Sequence, residues 1–264
     1  GDIQGLAKDV LNVARVNLNP ETSSRIETAT NWLERYCLSN KFDASTAVNT
    51  LTSRGLQADA IVDYCIPKIA RNYGQEWISD SLSFASVSVG CVHLQLVLKH
   101  IIHDRGFNVL DGNGKCVLLA ALSPEQHTLG ALVLADQLRR LDFSVKMCLS
   151  SSTDDVTKNV FENKYHAVLF SASTLEAAEL SAQCVNQIRQ NYVYQPLVFL
   201  GGAVLSSHRQ DYAYQPVFFL GGSFLSTGGR EDMTGDFDHV TNKLDVIVNS
   251  IESATLMLTE VNRS

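Results

Sequence analysis

Two hydrophobic rhythms divide the chain. From Asp2 to about His103, apolar residues return every three or four positions: Leu6, Val10, Val13 and Ala14, then Ile26, Ala29, Trp32, Leu33 and Tyr36, then Ala58, Ile61, Val62, Cys65, Ile66 and Ile69. Such spacing lines up one face of successive helices. Helix starts are marked by Asn19-Pro20-Glu21, with proline at a first helical position, and by Asp43 ahead of Ala44-Ser45-Thr46. About five helices fit, the last over 79–102, and the expected arrangement is an all-α helical bundle.

After Asp104-Arg-Gly-Phe-Asn and Asp111-Gly-Asn-Gly the rhythm changes. Short apolar runs at 116–122, 143–149, 166–171 and 197–200 alternate with helix-period stretches at about 127–140, 152–162 and 174–190. This alternation predicts a doubly wound, flavodoxin-like or Rossmann-like α/β domain with a parallel sheet and right-handed crossovers. A strand-like 237–240 and a helix over 241–261 close it. The expected division is a helical cap domain over 1–110 and an α/β domain over 111–264. Tyr192 to Ser206 recurs, lightly altered, from Tyr212 to Ser226, so Gly201-Gly202 has a second copy in Gly221-Gly222. A period repeated once is a local duplication rather than a solenoid.

The densest polar chemistry follows the first predicted strand. Val117–Leu122 ends in Ser123-Pro124, and Glu125, His127 and Gly130 come directly after. In an open α/β sheet, ligands bind beyond the carboxyl ends of strands at the point where strand order reverses. The loops after the first and third strands, carrying His127 and Ser171/Ser173, are expected to share that crevice, with Gly201-Gly202 at its rim. A neutral imidazole is a good ligand for cobalt or iron. A carboxylate two residues away would hold the other ring nitrogen, fixing the tautomer and raising ligand basicity.

Bulk properties narrow the field. The net charge of −7 opposes unaided nucleic-acid binding, which needs a basic face. The six cysteines are dispersed with no CxxC pair, so reduced core thiols in a cytoplasmic protein are expected. No export signal and no membrane-spanning run are expected either. There is no GxSxG, P-loop or GxGxxG after the first strand, and no nucleophile–base pair, so the chain reads as a binding protein and not an enzyme.

Glu125-x-His127-x-x-Gly130, Ser171-x-Ser173 beginning 41 residues after Gly130, and Gly201-Gly202 beginning 28 after Ser173 resemble the cobalamin-binding signature Asp-x-His-x-x-Gly, Ser-x-Leu, Gly-Gly. Glutamate stands in place of aspartate and Ser173 in place of leucine, although Ser173-Thr174-Leu175 offers a second register. The preceding bundle resembles the cap those proteins lay over the corrin. Its stretch Tyr73 to Gln95, with Trp77, Asp80 and Phe84, is similar to the AerR/PpaA-type photosynthesis antirepressors and to the haem-binding SCHIC domain. Light-sensing repressors of the CarH type carry Trp-x9-Glu-His here; counted from Trp77, this chain has Val87-Ser88, so their upper ligand is missing.

The resemblance implies a cobalamin (alternatively haem) sensor of light, redox state or ligand supply. It would act as an antirepressor through a transcription-repressor partner, with His127 as metal ligand. Glu125, Gly130, Ser171, Ser173, Gly201, Gly202 and Trp77 would complete the cofactor site. The alternatives are a corrinoid-carrying subunit of a methyltransferase and a ligand-free interaction module; oligomeric state stays open. Among the other histidines, His93 and His100 share a helix face, where packing competes with a second axial role. His166, His208 and His239 read as surface or loop residues. Tyr192, Tyr194, Tyr212 and Tyr214 read as covers of apolar surface, and Arg139-Arg140 as a helix-dipole pair.

Overall fold

The computed structural model describes residues 20–106, 115–191, 195–202, 237–241 and 243–261. The helix expected over Leu6–Ala14, the joint at 111–114, Tyr192, Tyr194, Tyr212, Tyr214, His208 and the second Gly-Gly copy lie outside them.

The first described half is helical: α1 (Pro20–Cys37), α2 (Ala44–Ser53), the short α3 (Ala58–Ala60), α4 (Ile66–Ile78) and α5 (Phe84–Arg105). Asp43 caps α2 by accepting a hydrogen bond from the Thr46 amide at 2.7 Å. Between α3 and α4 the backbone passes through a π-helical turn, Ile61–Cys65. Pro67 follows directly; with no N–H to return to residue 63, it fits a widened turn there. The last helix starts later than its apolar pattern indicates, at the Ser83 cap, because Ser79–Ser83 form a turn in which Asp80 takes φ 55°. It ends at Gly106, whose φ of 64° suits a left-handed cap.

Helix α5 is the axis of the cap. It alone among the described helices is long and apolar enough to cross a membrane by length and composition, a feature spread between polar residues and so hidden from a search for unbroken apolar runs. One face, with Val87, Leu94, Val97, Leu98 and Ile101, is buried in the core that also holds Leu33, Leu51, Ile66 and Ile69, while Phe84, Val89, Val92 and Leu96 are exposed. Tyr73 lies fully buried across Gly90, its hydroxyl donating to the Glu34 carbonyl at 2.6 Å. His93 is also absorbed here: Nδ1 lies 2.6 Å from the Cys37 carbonyl, and the ring stacks on Phe42 at 3.9 Å.

From Cys116 the chain alternates: β1 (Cys116–Leu122), α6 (Leu129–Arg140), β2 (Ser144–Ser151), α7 (Thr153–Glu162), β3 (Ala167–Ser171), α8 (Leu175–Asn191), β4 (Leu197–Gly201), β5 (His239–Val240) and α9 (Leu244–Val261). The strands form one parallel sheet in the order β2-β1-β3-β4-β5, the doubly wound arrangement expected. β1, β3 and β4 are covered on both faces and almost uniformly apolar, whereas the edge strand β2 is half polar and only partly buried. Leu118, Ala120, Val168, Phe170, Val198 and Leu200 pack under α7 and α8. Val117, Leu119, Leu169 and Phe199 face α6 and α9.

His166, read as a surface or loop residue, lies in the bend just before β3, its Nδ1 accepting from the Cys116 amide at 3.1 Å, whereas His239 sits in β5, stacked on Phe199 at 4.9 Å. All six cysteines are free thiols. Burial pushes Cys37 up to about 12 and Cys65 and Cys184 up to about 11, which leaves these thiols protonated and inert.

Helix α6 joins the two halves. Ala131, Leu134, Ala135 and Leu138 face the sheet, while Leu129 and Val133 enter the cap's core. Its far end carries buried charge. Asp136, fully buried, accepts from Arg105 at 2.6 and 2.7 Å and from Arg140 at 3.1 Å. The same two arginines hold Asp59 and Asp63 of the cap, and Gln137 donates to Asp63 at 3.0 Å. Arg140 is therefore a cross-layer ligand and not merely a helix-dipole residue; Arg139 donates to the Val145 carbonyl at 3.1 Å.

Gly90 tests the cap packing. A Cβ there would lie 2.5 Å from the Tyr73 ring, which is held at its hydroxyl and cannot retreat. Gly90→Ala is expected to destabilise by about 1–3 kcal/mol despite alanine's better helix propensity. A lowered urea midpoint at unchanged slope would show it, and an unchanged or raised midpoint would contradict this packing.

Candidate functional site

Strands β1 and β3 are adjacent and parallel, with Val117 to Ala120 opposite Ala167 to Phe170. The chain leaves β1 towards β2 on one side and returns to β3 on the other, so the loops after β1 and β3 open side by side. After β1 the backbone turns through a cis Ser123–Pro124 bond, with the Glu125 amide donating to Leu122 O at 2.8 Å. Ser150, in the left-handed region at φ 52°, supports this turn from β2 by donating to the Glu125 carbonyl at 3.4 Å.

Glu125 is buried and ties the two loops together. Its Oε1 accepts from the His127 amide at 2.7 Å and lies 2.7 Å from His127 Nδ1. Its Oε2 accepts from both the amide and the hydroxyl of Ser173, each at 2.6 Å. Ser173 Oγ also lies 2.8 Å from His127 Nδ1. Burial alone would raise the carboxyl's pKa, but side-chain and backbone donors from His127 and Ser173 outweigh it and bring it to about 2. The group is therefore a carboxylate, which can only accept. Hydrogen-bond logic then puts the imidazole proton on Nδ1 and the lone pair of the neutral ring on Nε2, which is buried.

Both departures from the cobalamin-type pattern take part in this contact. Glutamate at 125 bridges to the amide and the hydroxyl of residue 173, and serine at 173 supplies that hydroxyl. Ser171, buried at the end of β3, pairs with Gly201 across the strands. Gly201 O accepts from the Ala172 amide at 2.9 Å. Gly202 takes φ 111°, and a Cβ there would lie 2.3 Å from Ala172 O, so only glycine lets β4's end lie this close to the β3 loop. Gly130 is buried in the first turn of α6. The structure thus gathers Glu125, His127, Ser171, Ser173, Gly201 and Gly202 at one end of the sheet. Trp77 stays in the cap, its ring 6.3 Å from Phe84.

Three further residues at this end belong to no motif: Thr128, Gln95 and Ser150. Thr128 receives Gln95 Nε2 from α5 at 3.4 Å, a direct contact between cap and site loop. Ser150 is marked only by its backbone conformation. The one sequence signal available for Gln95 was its place among the polar residues of the last cap helix.

No protein-family model matches the chain. A Rhodobacter capsulatus protein described as an uncharacterized 20.5 kDa protein in the bchF-crtJ intergenic region is 31% identical over 150 residues, covering 56% of this chain and 78% of that one. Among solved structures, the Methanosarcina barkeri monomethylamine corrinoid protein superposes with a TM-score of 0.58 at 10% identity, covering 90% of this chain and 99% of that one. A cobalamin-binding protein from Desulfitobacterium hafniense DCB-2 gives a TM-score of 0.41 at 11% identity, covering 85% and 98%. The chain belongs to the family of the R. capsulatus bchF-crtJ intergenic protein, and it has the fold of the corrinoid proteins, a helical cap ahead of a Rossmann-like domain.

Proposed function

We propose that the chain is a cytoplasmic tetrapyrrole-binding regulator that takes cobalamin between cap and sheet and passes the ligand state to a transcription repressor as an antirepressor. The observation that carries this reading is the Glu125–His127–Ser173 contact: a depressed carboxylate and a serine hydroxyl hold Nδ1, leaving Nε2 as the basic nitrogen. That donor set fits a cobalt ion. Ser171 and Gly202 stand at the rim where the ligand's nucleotide tail would lie, with Gly202 packed closely on the Ala172 backbone. When bound, the corrin would supply a metal centre, which His127 would hold through Nε2. The chain's own residues orient the imidazole, keep its proton on Nδ1 and exclude water. The antirepressor role is supported by the relative's place beside photosynthesis genes.

A second reading, the corrinoid-carrying subunit of a methyltransferase, is favoured by the fold shared with the monomethylamine corrinoid protein. Methyl transfer to or from a partner methyltransferase, in place of repressor capture, would decide for it.

The first experiment is an absorption titration of the apoprotein with hydroxocobalamin and, separately, with haemin, each beside His127→Ala. Corrin bands that shift in the wild type and not in His127→Ala are expected. Bands unchanged by the substitution would remove His127 as the ligand, and a Soret shift with haemin alone would move the assignment to haem. Glu125→Gln keeps the size of the side chain but loses the charge behind Nδ1, and is expected to weaken binding about 10–100-fold.

The same carboxylate sets an acid limit on stability. Its folded pKa of about 2 lies below the ordinary 4.5, so its contribution is complete above about pH 4.5 and is lost as pH falls towards 2. Urea midpoints at pH 6 and pH 3 are therefore expected to differ less in Glu125→Gln than in the wild type; equal differences would mean that Glu125 titrates normally.

A further inference from the structure

Helix α5 is more apolar than its buried face requires. Gln95 and Arg105 turn one side of it towards α6 and the loop before it. His93 turns another side towards Cys37 and Phe42, and Val87, Leu94, Val97, Leu98 and Ile101 fill the core. The remaining, outward arc carries Ala85, Val89, Val92 and Leu96, which at one turn per 3.6 residues lie within about 60° of one another. All four are exposed, the three larger ones at 48%, 52% and 42%. Polar residues normally occupy such a face, and a contiguous apolar line on it marks a surface that another molecule covers. A lipid surface suits it poorly. Helices that lie on membranes are rich in Lys and Arg, whereas this arc is continued only by Lys99 and His103 and the chain carries a net charge of −7.

The spacing along the arc identifies the occupant. Positions 85, 89, 92 and 96 step by four, three and four, the spacing of a coiled-coil seam, and that sequence of steps reads the same from either end. Turn a second copy end for end about a two-fold axis crossing between Gly90 and Cys91. Ala85 then meets Leu96 of the second copy, small against large, and Val89 meets Val92. Lys99 falls opposite Leu82 of the second copy, beside the turn in which Asp80 is exposed. A parallel pair would instead set Lys99 against Lys99 and His103 against His103, like charge on like. We propose that the outer face of α5 is a self-association surface, on which two copies of the chain pair through antiparallel α5 helices with Lys99 and Asp80 facing at each end. The overlap covers about 14 residues, or about 20 Å of helix. That is at the small end of specific interfaces, so the dimer forms and separates with concentration. This pairing is independent of whether a tetrapyrrole is bound.

Sedimentation velocity on the full chain over a wide range of concentration tests this, and a passage from monomer to dimer is expected. Val92→Glu sets a carboxylate in the apolar seam and is expected to raise the dimer's dissociation constant at least about 10-fold. Lys99→Glu brings a carboxylate towards Asp80 and is expected to raise it about 3–10-fold. Adding Asp80→Asn should recover part of that loss, since asparagine suits the φ of 55° there as aspartate does. All these positions are exposed, so the urea midpoints should match the wild type and show that the fold is kept. Orientation is read from a spin-label amino acid at the exposed His103, which spares the six native thiols. Antiparallel pairing puts the two labels about 37 Å apart along the helices, against about 10 Å for a parallel pair. A chain that stays monomeric, a dimer that Val92→Glu leaves unchanged, or the short label distance each overturns the proposal. A monomer that sediments with phosphatidylcholine–phosphatidylglycerol vesicles, and loses this in Val92→Glu, overturns it too and gives the face to a lipid surface.

Discussion

One buried carboxylate organises the working end of this molecule. Glu125 accepts four hydrogen bonds, two from His127 and two from Ser173. It is the covalent neighbour of neither β3 nor its loop. The bonds can form only because β1 and β3 lie side by side in parallel register, and that follows from the doubly wound order of the sheet. Charge burial is tolerated because each oxygen is met by donors, two of them backbone amides that cannot turn away. The price of the arrangement is exactness of distance: the side chain must reach across a loop boundary, and a glutamate does so here.

Around that anchor, small residues and two-faced helices set how closely the layers approach. Gly202 brings β4's end against the Ala172 backbone, and Gly90 brings α5 against Tyr73. Helix α6 packs the sheet with one set of side chains and the cap with another. The site loop at its start and the charged cluster at its end therefore belong to one rigid rod.

The sheet was readable from sequence nearly to the residue, because strands buried on both faces leave unbroken apolar runs between turn signals, as in Val117–Leu122. The site was readable as a spacing: Glu125, His127, Ser171, Ser173 and Gly201-Gly202 each fall at a strand end. Helix α5 was harder. Its start depends on the Ser83 cap and the Asp80 turn, local features that an apolar period does not register. His93, His166 and His239 were ambiguous in sequence because an imidazole that packs and one that coordinates look alike. Only their partners, Cys37, Cys116 and Phe199, distinguish them. Arg140 was misjudged for the same reason, since a helix dipole explains a terminal arginine until Asp63 and Asp136 are seen beside it.

What the sequence by itself determined is the order of elements, the parallel sheet and the kinds of side chain delivered to its carboxyl end. These are consequences of local periodicity and turn chemistry, which act over a few residues. The tertiary structure alone decided that the glutamate and serine substitutions meet each other, that Arg105 reaches Asp136, and that Arg140 reaches Asp63 of the cap. Those facts depend on residues 31 to 77 positions apart in the chain, such as Arg105 with Asp136 and Arg140 with Asp63. Their separation is set by packing, and no local pattern encodes it.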